Sequence, residues 1–296
     1  MSCNNLLQKS LNMTKSIVKI QTKLSVGIIG CGWLGKPLAK NLIAQGCSVM
    51  GTSSQRDNVE VLVGEGIPAR QLSLPATSET LNNHDVFNHQ ILVIAITPQF
   101  KRARTDYAEK IEQIVAAAKH CGKTQRIILL NSSAIYNGLS GEVDENSRLD
   151  LTAAKVEILQ QAEKIALGYS DNSVTLRLAG LVGPNRHPGT FIKRRQERGT
   201  VLADGDAKVN LIHQQDAIGL ILALMNNTNA YGVFNGVCAI HPSKKDYYGV
   251  AAKALSLPAP VFNVSEEPAV TRIVTDNRSA IELGYQYVYP DLIAWL

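Results

Sequence analysis

From Leu24 onward the chain alternates short apolar runs with segments whose apolar residues recur at helical spacing, and this alternation restricts the fold more than any other feature. Residues 24–29 form a short apolar run, 91–96 a near-continuous one as expected for a strand buried on both faces of a parallel sheet, and 127–130 and 174–178 read as further strands. A further strand starts at 48–51. Between the strands, Leu34, Leu38, Leu42 and Ile43 mark one helix, which Gly46 is suited to close. Residues 107–120 read as a second helix with Ile111, Ile114 and Val115 on one side, and 151–167 as a third. The βαβαβ pattern predicts an α/β fold: a Rossmann-type, doubly wound, mostly parallel sheet over residues 24–182.

After Gly180 the character changes. Residues 183–210 are rich in Gly, Pro, Arg and polar side chains and read as a long functional loop with one helix near 191–198. Helices follow at 216–225 and 244–255, with a short strand at 233–235. The expected organisation is a smaller C-terminal α/β substrate lobe over 183–296, with about 209–236 returning to the sheet. No linker separates the halves, so they should share a cleft.

Gly30-Cys31-Gly32-Trp33-Leu34-Gly35 places a G-x-G-x-x-G between the first strand and the first helix, the context in which that pattern binds a dinucleotide. Gly30 permits the tight turn, Gly32 lets the backbone approach a pyrophosphate, and Gly35 lets the helix pack closely on the sheet. The backbone N–H groups of this turn, Trp33 and Leu34 included, and the positive end of the helix dipole would then face the anion. At the end of the second strand the chain reads Thr52-Ser53-Ser54-Gln55-Arg56, with no carboxylate to hydrogen-bond a ribose 2′-hydroxyl or to repel a 2′-phosphate. Ser53, Ser54 and Arg56 therefore favour NADP over NAD. Thr97, just past the 91–96 strand, completes the expected cofactor contacts.

The formal charge of +5 does not indicate nucleic acid. No Asp or Glu precedes Asp57, and Lys9, Lys15, Lys19 and Lys23 contribute four of the five units, leaving +1 for residues 24–296. Residues 1–23 have neither the apolar core of a secretory signal nor the arginines of a transit peptide, and are expected to be a flexible extension. The five cysteines are scattered without C-x-x-C spacing, which predicts neither a disulfide framework nor a metal site and fits a reducing cytoplasm. No apolar run is long enough for a membrane span.

Three further segments carry a resemblance. Leu129-Leu130-Asn131-Ser132-Ser133-Ala134-Ile135-Tyr136, Leu176-Arg177-Leu178-Ala179-Gly180-Leu181-Val182-Gly183-Pro184 and Val209-Asn210-Leu211-Ile212-His213-Gln214-Gln215-Asp216 resemble segments of the extended short-chain dehydrogenases/reductases, the family of nucleotide-sugar epimerases and dehydratases. With Gly32-Trp33-Leu34-Gly35 and Arg186-His187-Pro188-Gly189, the chain is most similar to the atypical YeeZ-type subgroup. The resemblance implies NADP or NAD as cofactor and a small-molecule substrate, phosphorylated or a nucleotide-sugar. It implies an oxidoreductase or epimerase, with a homodimer as the assembly left open.

Two departures qualify that implication. The family spaces its glycines G-x-x-G-x-x-G, which would put one at Ile29. More seriously, family catalysis uses Tyr-x-x-x-Lys, whose tyrosine exchanges a proton with substrate. Here the corresponding residues are Leu151-Thr152-Ala153-Ala154-Lys155, so Lys155 is either a ribose contact or a helix-surface residue. Ser132, Tyr136 and His187 are the remaining candidates for proton chemistry. Ser132 matches the family's substrate-orienting hydroxyl, and His187 has an ordinary pKa suited to acid–base work. His213 and Arg177 read more readily as structural. The alternative is a dinucleotide-binding protein that has lost catalysis. A 3-hydroxyacid or 6-phosphogluconate dehydrogenase type also opens like residues 26–48, but continues into a helical domain, unlike the short strands and prolines here.

Overall fold

In a computed structural model, which describes residues 18–21, 23–263 and 270–296, the first apolar run becomes strand β1 (Ser25–Ile29), buried from Val26 onward. It pairs in parallel with β2 (Ser48–Ser53) on one side and β4 (Ile91–Ile94) on the other. Beyond β2 lies β3 (Ala69–Gln71); beyond β4 lie β5 (Arg126–Ser132), β7 (Val174–Leu178) and β10 (Gly232–Gly236). All neighbours in this seven-stranded sheet are parallel, so each connection crosses over and the sheet is wound in both directions from β1. The direction in which strands are added reverses between β1 and β4, which opens a crevice at the carboxyl ends of those strands.

The covering helices follow the apolar periodicity. Helix α1 (Gly35–Ala44) buries Leu38, Ala39 and Leu42 and is followed by Gly46 at φ +82°. Helix α2 (Arg56–Gly64) buries only Leu62, which is why its pattern is weak in the sequence. A short α3 (Ser78–Asn82) precedes α4 (Tyr107–Cys121), which buries Tyr107, Ile111, Ile114 and Val115 and is closed by Gly122 in the left-handed region. Helix α5 (Ala154–Leu167) starts three residues later than its apolar pattern suggests. Asp150 is the cause: its Oδ1 accepts from the Thr152 N–H at 3.0 Å and the Thr152 hydroxyl at 2.7 Å, holding the preceding residues in a turn.

The C-terminal lobe adds two small parallel pairs, β6 (Gly141–Val143) with β11 (Arg272–Val274) and β8 (Gly180–Val182) with β9 (Leu211–His213). Helix α6 (Pro188–Glu197) begins earlier than 191 because His187 caps it and Pro188 occupies its first position. Helix α7 (Gln214–Asn226) leads back to β10, and α8 (Lys244–Ala254), α9 (Asn277–Leu283) and α10 (Leu292–Trp295) complete the lobe. Val182, Val209, Cys238, Tyr247 and Leu292 form its own small core. Among the described residues no helix is long and apolar enough to cross a membrane.

Of the expected flexible extension over 1–23, residues 1–17 and 22 lie outside the described residues. Residues 18–21 are held in place: Gln45 Oε1 accepts from the Ile20 N–H, and Asn226 accepts from the Gln21 N–H at 3.2 Å while donating to the Lys19 carbonyl at 2.7 Å.

Arg126, at the start of β5, ties the sheet to α7. Its buried guanidinium donates to the carbonyls of Leu224 (2.7 Å), Asn227 (3.0 Å) and Ala230 (2.8 Å), collecting the negative end of that helix. Burial pulls its pKa down to about 10, leaving it charged at neutral pH. Arg126→Met should lower unfolding stability by roughly 2–4 kcal/mol, since three carbonyls lose a charged donor. The check is the urea midpoint at constant slope; an unchanged midpoint would mean that water replaces the guanidinium at no cost.

Candidate functional site

The glycine loop sits where β1 meets α1, and its shape follows from what each glycine faces. Gly30 has φ +103°, and its N–H donates to Thr52 Oγ1 at 3.1 Å, while the Cys31 N–H donates to the Thr52 carbonyl at 2.7 Å. Thr52 thus consumes the first two donors of the loop. At Gly35 a Cβ would lie 2.3 Å from the Gly30 carbonyl oxygen, so only glycine lets α1 start this close to the strand. At Gly32 a Cβ would meet nothing within 4 Å. That open space faces a helix start at Leu34 that no side chain caps, leaving its N-terminal backbone dipoles for an anion.

Beside the loop, the crevice between the ends of β1, β2 and β4 holds a cavity of about 310 Å³. Gly30, Gly32, Ser53, Ser54 and Thr97 line it, as the sequence suggests. So do Asn58, Leu72, Leu74 and Gln99, and one charged side chain, Lys110. No carboxylate is in this wall. Gln99 and Ala103, both with φ +54°, bracket the turn that forms part of the rim, a concentration of backbone strain common at binding loops. The uncapped helix start, the room at Gly32 and a polar wall without acids fit a nicotinamide dinucleotide. No cluster of His, Cys, Asp and Glu suited to a metal occurs among the described residues.

The other expected cofactor residues lie outside the cavity wall. Arg56 is on the surface, its side chain 82% exposed and its Nε 3.3 Å from Glu60 Oε1. Leu34 is buried in the core. Trp33 points toward the C-terminal lobe: its indole N–H donates to the Pro184 carbonyl at 3.0 Å, its carbonyl accepts from Gln214 Nε2 at 2.7 Å, and the Arg186 guanidinium stacks on its ring. Trp33 is therefore a tether between the glycine loop and the loop after β8. Lys155 is half-buried at the start of α5, with Nζ 2.8 Å from the Asn137 side-chain oxygen in the amide orientation that satisfies both groups.

Tyr136 is not available for proton transfer at a cleft. It is fully buried; its hydroxyl donates to Asn235 Oδ1 at 2.9 Å and accepts from Arg177 Nη1 at 2.8 Å. Burial raises its pKa, opposite to what a general base needs. Arg177 in turn makes a bidentate pair with Glu163, at 2.9 and 2.7 Å, and Glu163 also accepts from Asn131 Nδ2. Burial would lower the Arg177 pKa, but the Glu163 carboxylate more than reverses this, so the net shift is upward.

Ser132 ends β5 half-buried, and its Oγ accepts from the Ala134 N–H at 3.1 Å, which leaves its own proton free to donate. His187 caps α6 through Nδ1, which accepts from the Gly189 N–H at 3.1 Å; the ring proton is therefore on Nε2. Burial lowers its pKa. His213 repeats the arrangement at the start of α7, with Nδ1 accepting from the Gln215 N–H at 3.2 Å. Its ring centroid is 4.0 Å from that of Tyr289 and 5.0 Å from that of Trp295, and burial pushes its pKa down to about 4.

Sequence reasoning missed Lys110 although a signal was present. Tyr107, Lys110, Ile111 and Ile114 recur at the i, i+3, i+4, i+7 spacing of the buried face of α4, and a lysine in that stripe is out of place unless it has a polar surface to reach. Asn58, Leu72 and Leu74 come from a helix and a loop whose approach to the cavity depends on the short edge strand β3, which has no apolar signature.

The parallel 3-2-1-4-5 core, the glycine turn and the crevice define a dinucleotide-binding α/β protein. Residues 26–235 match the model of the NAD dependent epimerase/dehydratase family, and the chain belongs to that family. It is 32% identical over 270 residues to protein YeeZ of Escherichia coli strain K12, an alignment covering 90% of this chain and 96% of that protein. In fold it is similar to the Bordetella bronchiseptica enzyme WbmG, solved in complex with NAD and UDP, with TM-score 0.75, 17% identity and 93% of each chain covered. It is also similar to UDP-glucose 4-epimerase from Thermotoga maritima, solved with UDP-glucose, with TM-score 0.71, 14% identity, and 88% of this chain and 93% of that one covered.

Gly32 and Gly35 should respond differently to substitution. Gly32→Val should fold with an unchanged melting temperature, because its Cβ enters open space, yet abolish dinucleotide binding in a fluorescence titration. Gly35→Ala should lower the melting temperature, because its Cβ collides with the Gly30 carbonyl. Full binding by a folded Gly32→Val protein would remove the pyrophosphate from this loop.

His213 makes a pH prediction. Unfolded, it takes up a proton near its ordinary 6.5; folded, not until about 4. The unfolded state therefore binds more protons in between, and stability should fall as pH drops from about 6.5 to about 4. His213→Asn keeps a capping acceptor and removes the titration, so the melting temperature measured across that window should decline less than in the wild type. Identical slopes would mean that His213 is solvated in the native state.

Proposed function

We propose that this protein binds NADP in preference to NAD and exchanges hydride with a small phosphorylated or nucleotide-bearing substrate, as an oxidoreductase or epimerase that works without the usual Tyr-x-x-x-Lys pair. The observation that carries this reading is the cavity beside Gly32, with an uncapped helix start at one end and a wall of Ser53, Ser54, Asn58 and Lys110 without a carboxylate. An acid at the end of β2 would favour a free 2′-hydroxyl; hydroxyl, amide and ammonium donors suit a 2′-phosphate. When bound, the cofactor supplies hydride exchange. Ser132 is positioned at the end of β5 to donate its free proton to a substrate oxygen, and His187 can donate from Nε2. Lys155, near Asn137, is the candidate contact to the cofactor ribose.

The bound UDP of WbmG and UDP-glucose of the Thermotoga enzyme support a nucleotide-sugar as the substrate class. The basic side chains Arg186, Lys193, Arg194 and Arg195 around α6 are compatible with a phosphorylated ligand. The free thiols of Cys31, Cys47, Cys121 and Cys238 support a reducing, cytoplasmic setting. A second reading, a dinucleotide-binding protein without turnover, is favoured by Leu151 at the position of the family tyrosine and by the burial of Tyr136.

Titration should give a lower Kd for NADPH than for NADH, followed by single-turnover oxidation of bound NADPH by one of a panel of sugar nucleotides and small carbonyls. Tight NADPH binding with no hydride transfer to any of them selects the second reading. His187→Ala should reduce the single-turnover rate while leaving cofactor affinity intact; an unaltered rate removes His187 from the reaction.

A further inference from the structure

Lys110 is buried, its side chain only 9% exposed, yet it lines the cavity and is the one charged group that does so. Its Nζ lies 2.9 Å from Asp106 Oδ1, one turn earlier at the start of α4. Asp106 is not its partner alone: Arg104 Nη2 binds the same carboxylate at 2.7 Å. Two cations thus share one anion, and the Arg104–Asp106–Lys110 group carries one net positive charge beside the cavity. The i,i+4 pair with Asp106 supports the helix, but a cation in the first turn also opposes the helix dipole, so helix stability by itself does not select a lysine here. Nor does packing, because the neighbouring positions of that stripe are apolar.

The position of the charge narrows its purpose. The pyrophosphate has its own site at the glycine loop and the start of α1. Lys110 shares the wall with Leu72 and Leu74 from the segment after β3, and with Ser53, Ser54 and Asn58 at the carboxyl end of β2, the side where a Rossmann fold holds the adenosine ribose. Arg56, the cation the sequence offers for this task, is turned outward to Glu60.

We propose that Lys110 is the cation that receives the adenosine 2′-phosphate of NADP, with Ser53, Ser54 and Asn58 as neutral donors beside it, an assignment that rests on reading this cavity as the dinucleotide site. The excess charge of the trio is then matched by the ligand, and the preference between NADP and NAD is set from α4 rather than from the first residue of α2. Asp106, held between two cations, keeps its carboxyl down at about 2 and so stays ionised to orient the ammonium at any physiological pH.

The test is calorimetric titration of the full chain with NADPH, NADH, 2′,5′-ADP and 5′-ADP, for the wild type and for Lys110→Met, Lys110→Arg and Arg56→Met. Loss of one charge-assisted contact should raise the Kd of Lys110→Met for NADPH and 2′,5′-ADP by about tenfold to a hundredfold, leaving NADH and 5′-ADP nearly unchanged. Lys110→Arg should retain most of the preference, and Arg56→Met should retain all of it. A wild-type preference for NADPH that survives in Lys110→Met, or an equal loss for both cofactors, would overturn the Lys110 assignment while leaving the NADP reading intact. Equal wild-type affinities for NADPH and NADH would overturn that reading and the assignment with it. Should Lys110→Met fail to fold, Lys110→Gln takes its place under the same criteria.

Discussion

The buried pair of Arg177 and Glu163 is the interaction on which the geometry of both halves depends. Two charges with side chains about 5% exposed are expensive to bury, and removing one partner of such a pair costs roughly 3–5 kcal/mol because the other is left uncompensated. The surroundings are built to satisfy them. Glu163 on α5 also takes a bond from Asn131 on β5, and Arg177 on β7 also donates to Tyr136 after β5. Tyr136 continues to Asn235 on β10, whose amide donates to the Thr275 carbonyl and whose own carbonyl accepts from Ser279 in the C-terminal lobe. One polar chain therefore crosses three strands of the sheet and ends in the lobe. The Tyr136 hydroxyl is absorbed into this network, and the segment carrying Ser132 and Asn137 is fixed by it.

A second set of contacts holds the lobe against the glycine loop. Trp33 spans to Pro184 and Gln214, and Asp216 at the start of α7 binds the Tyr285 hydroxyl and the N–H groups of Val288 and Tyr289. The tail that follows lays Tyr289 and Trp295 against His213, and Trp295 against His187. Burial raises the pKa of Asp216 and lowers that of His213, so the two groups respond to acid in opposite senses: only the histidine contact loses stability as pH falls. The two capping histidines thus link the start of each lobe helix to the chain terminus, and their Nδ1 atoms are occupied by backbone while Nε2 remains.

The sheet was legible because its strands are buried on both faces, which leaves near-continuous apolar runs at 26–29, 91–94 and 127–130 that nothing in a loop would reproduce. The glycine loop was legible because each of its outer glycines answers a backbone requirement that other residues cannot meet. Strand β3 was not legible: three residues at a sheet edge, with Arg70 and Gln71 exposed, leave no hydrophobic record. The fate of Tyr136 was not legible either, because its burial depends on Arg177 and Asn235, which are 41 and 99 residues away. Arg56 and Lys110 show the same limit from opposite sides. A cation next to the right strand points to solvent, and one fifty-odd residues further on lines the cavity, because the helix that carries it approaches from the other face of the sheet.

That last contrast bears on how a family with one fold diversifies its chemistry. In a doubly wound sheet the crevice is walled by helices from both faces, so a charge can reach the cofactor pocket from the β2 side or from the β4 side with little change to the backbone. Recruiting it from α4 has a physical consequence. A surface arginine after β2 is screened by water and salt, whereas a buried lysine beside a cavity acts at lower effective dielectric and needs a carboxylate such as Asp106 to hold it in the empty pocket. The pairing with Asp106, itself shared with Arg104, keeps the ammonium tolerable when the cavity holds only solvent and leaves one positive charge to be met by a ligand. The same two-sided construction separates the cavity at the ends of β1, β2 and β4 from Ser132 at the end of β5 and from Leu151, which precedes α5 at the position of the family tyrosine.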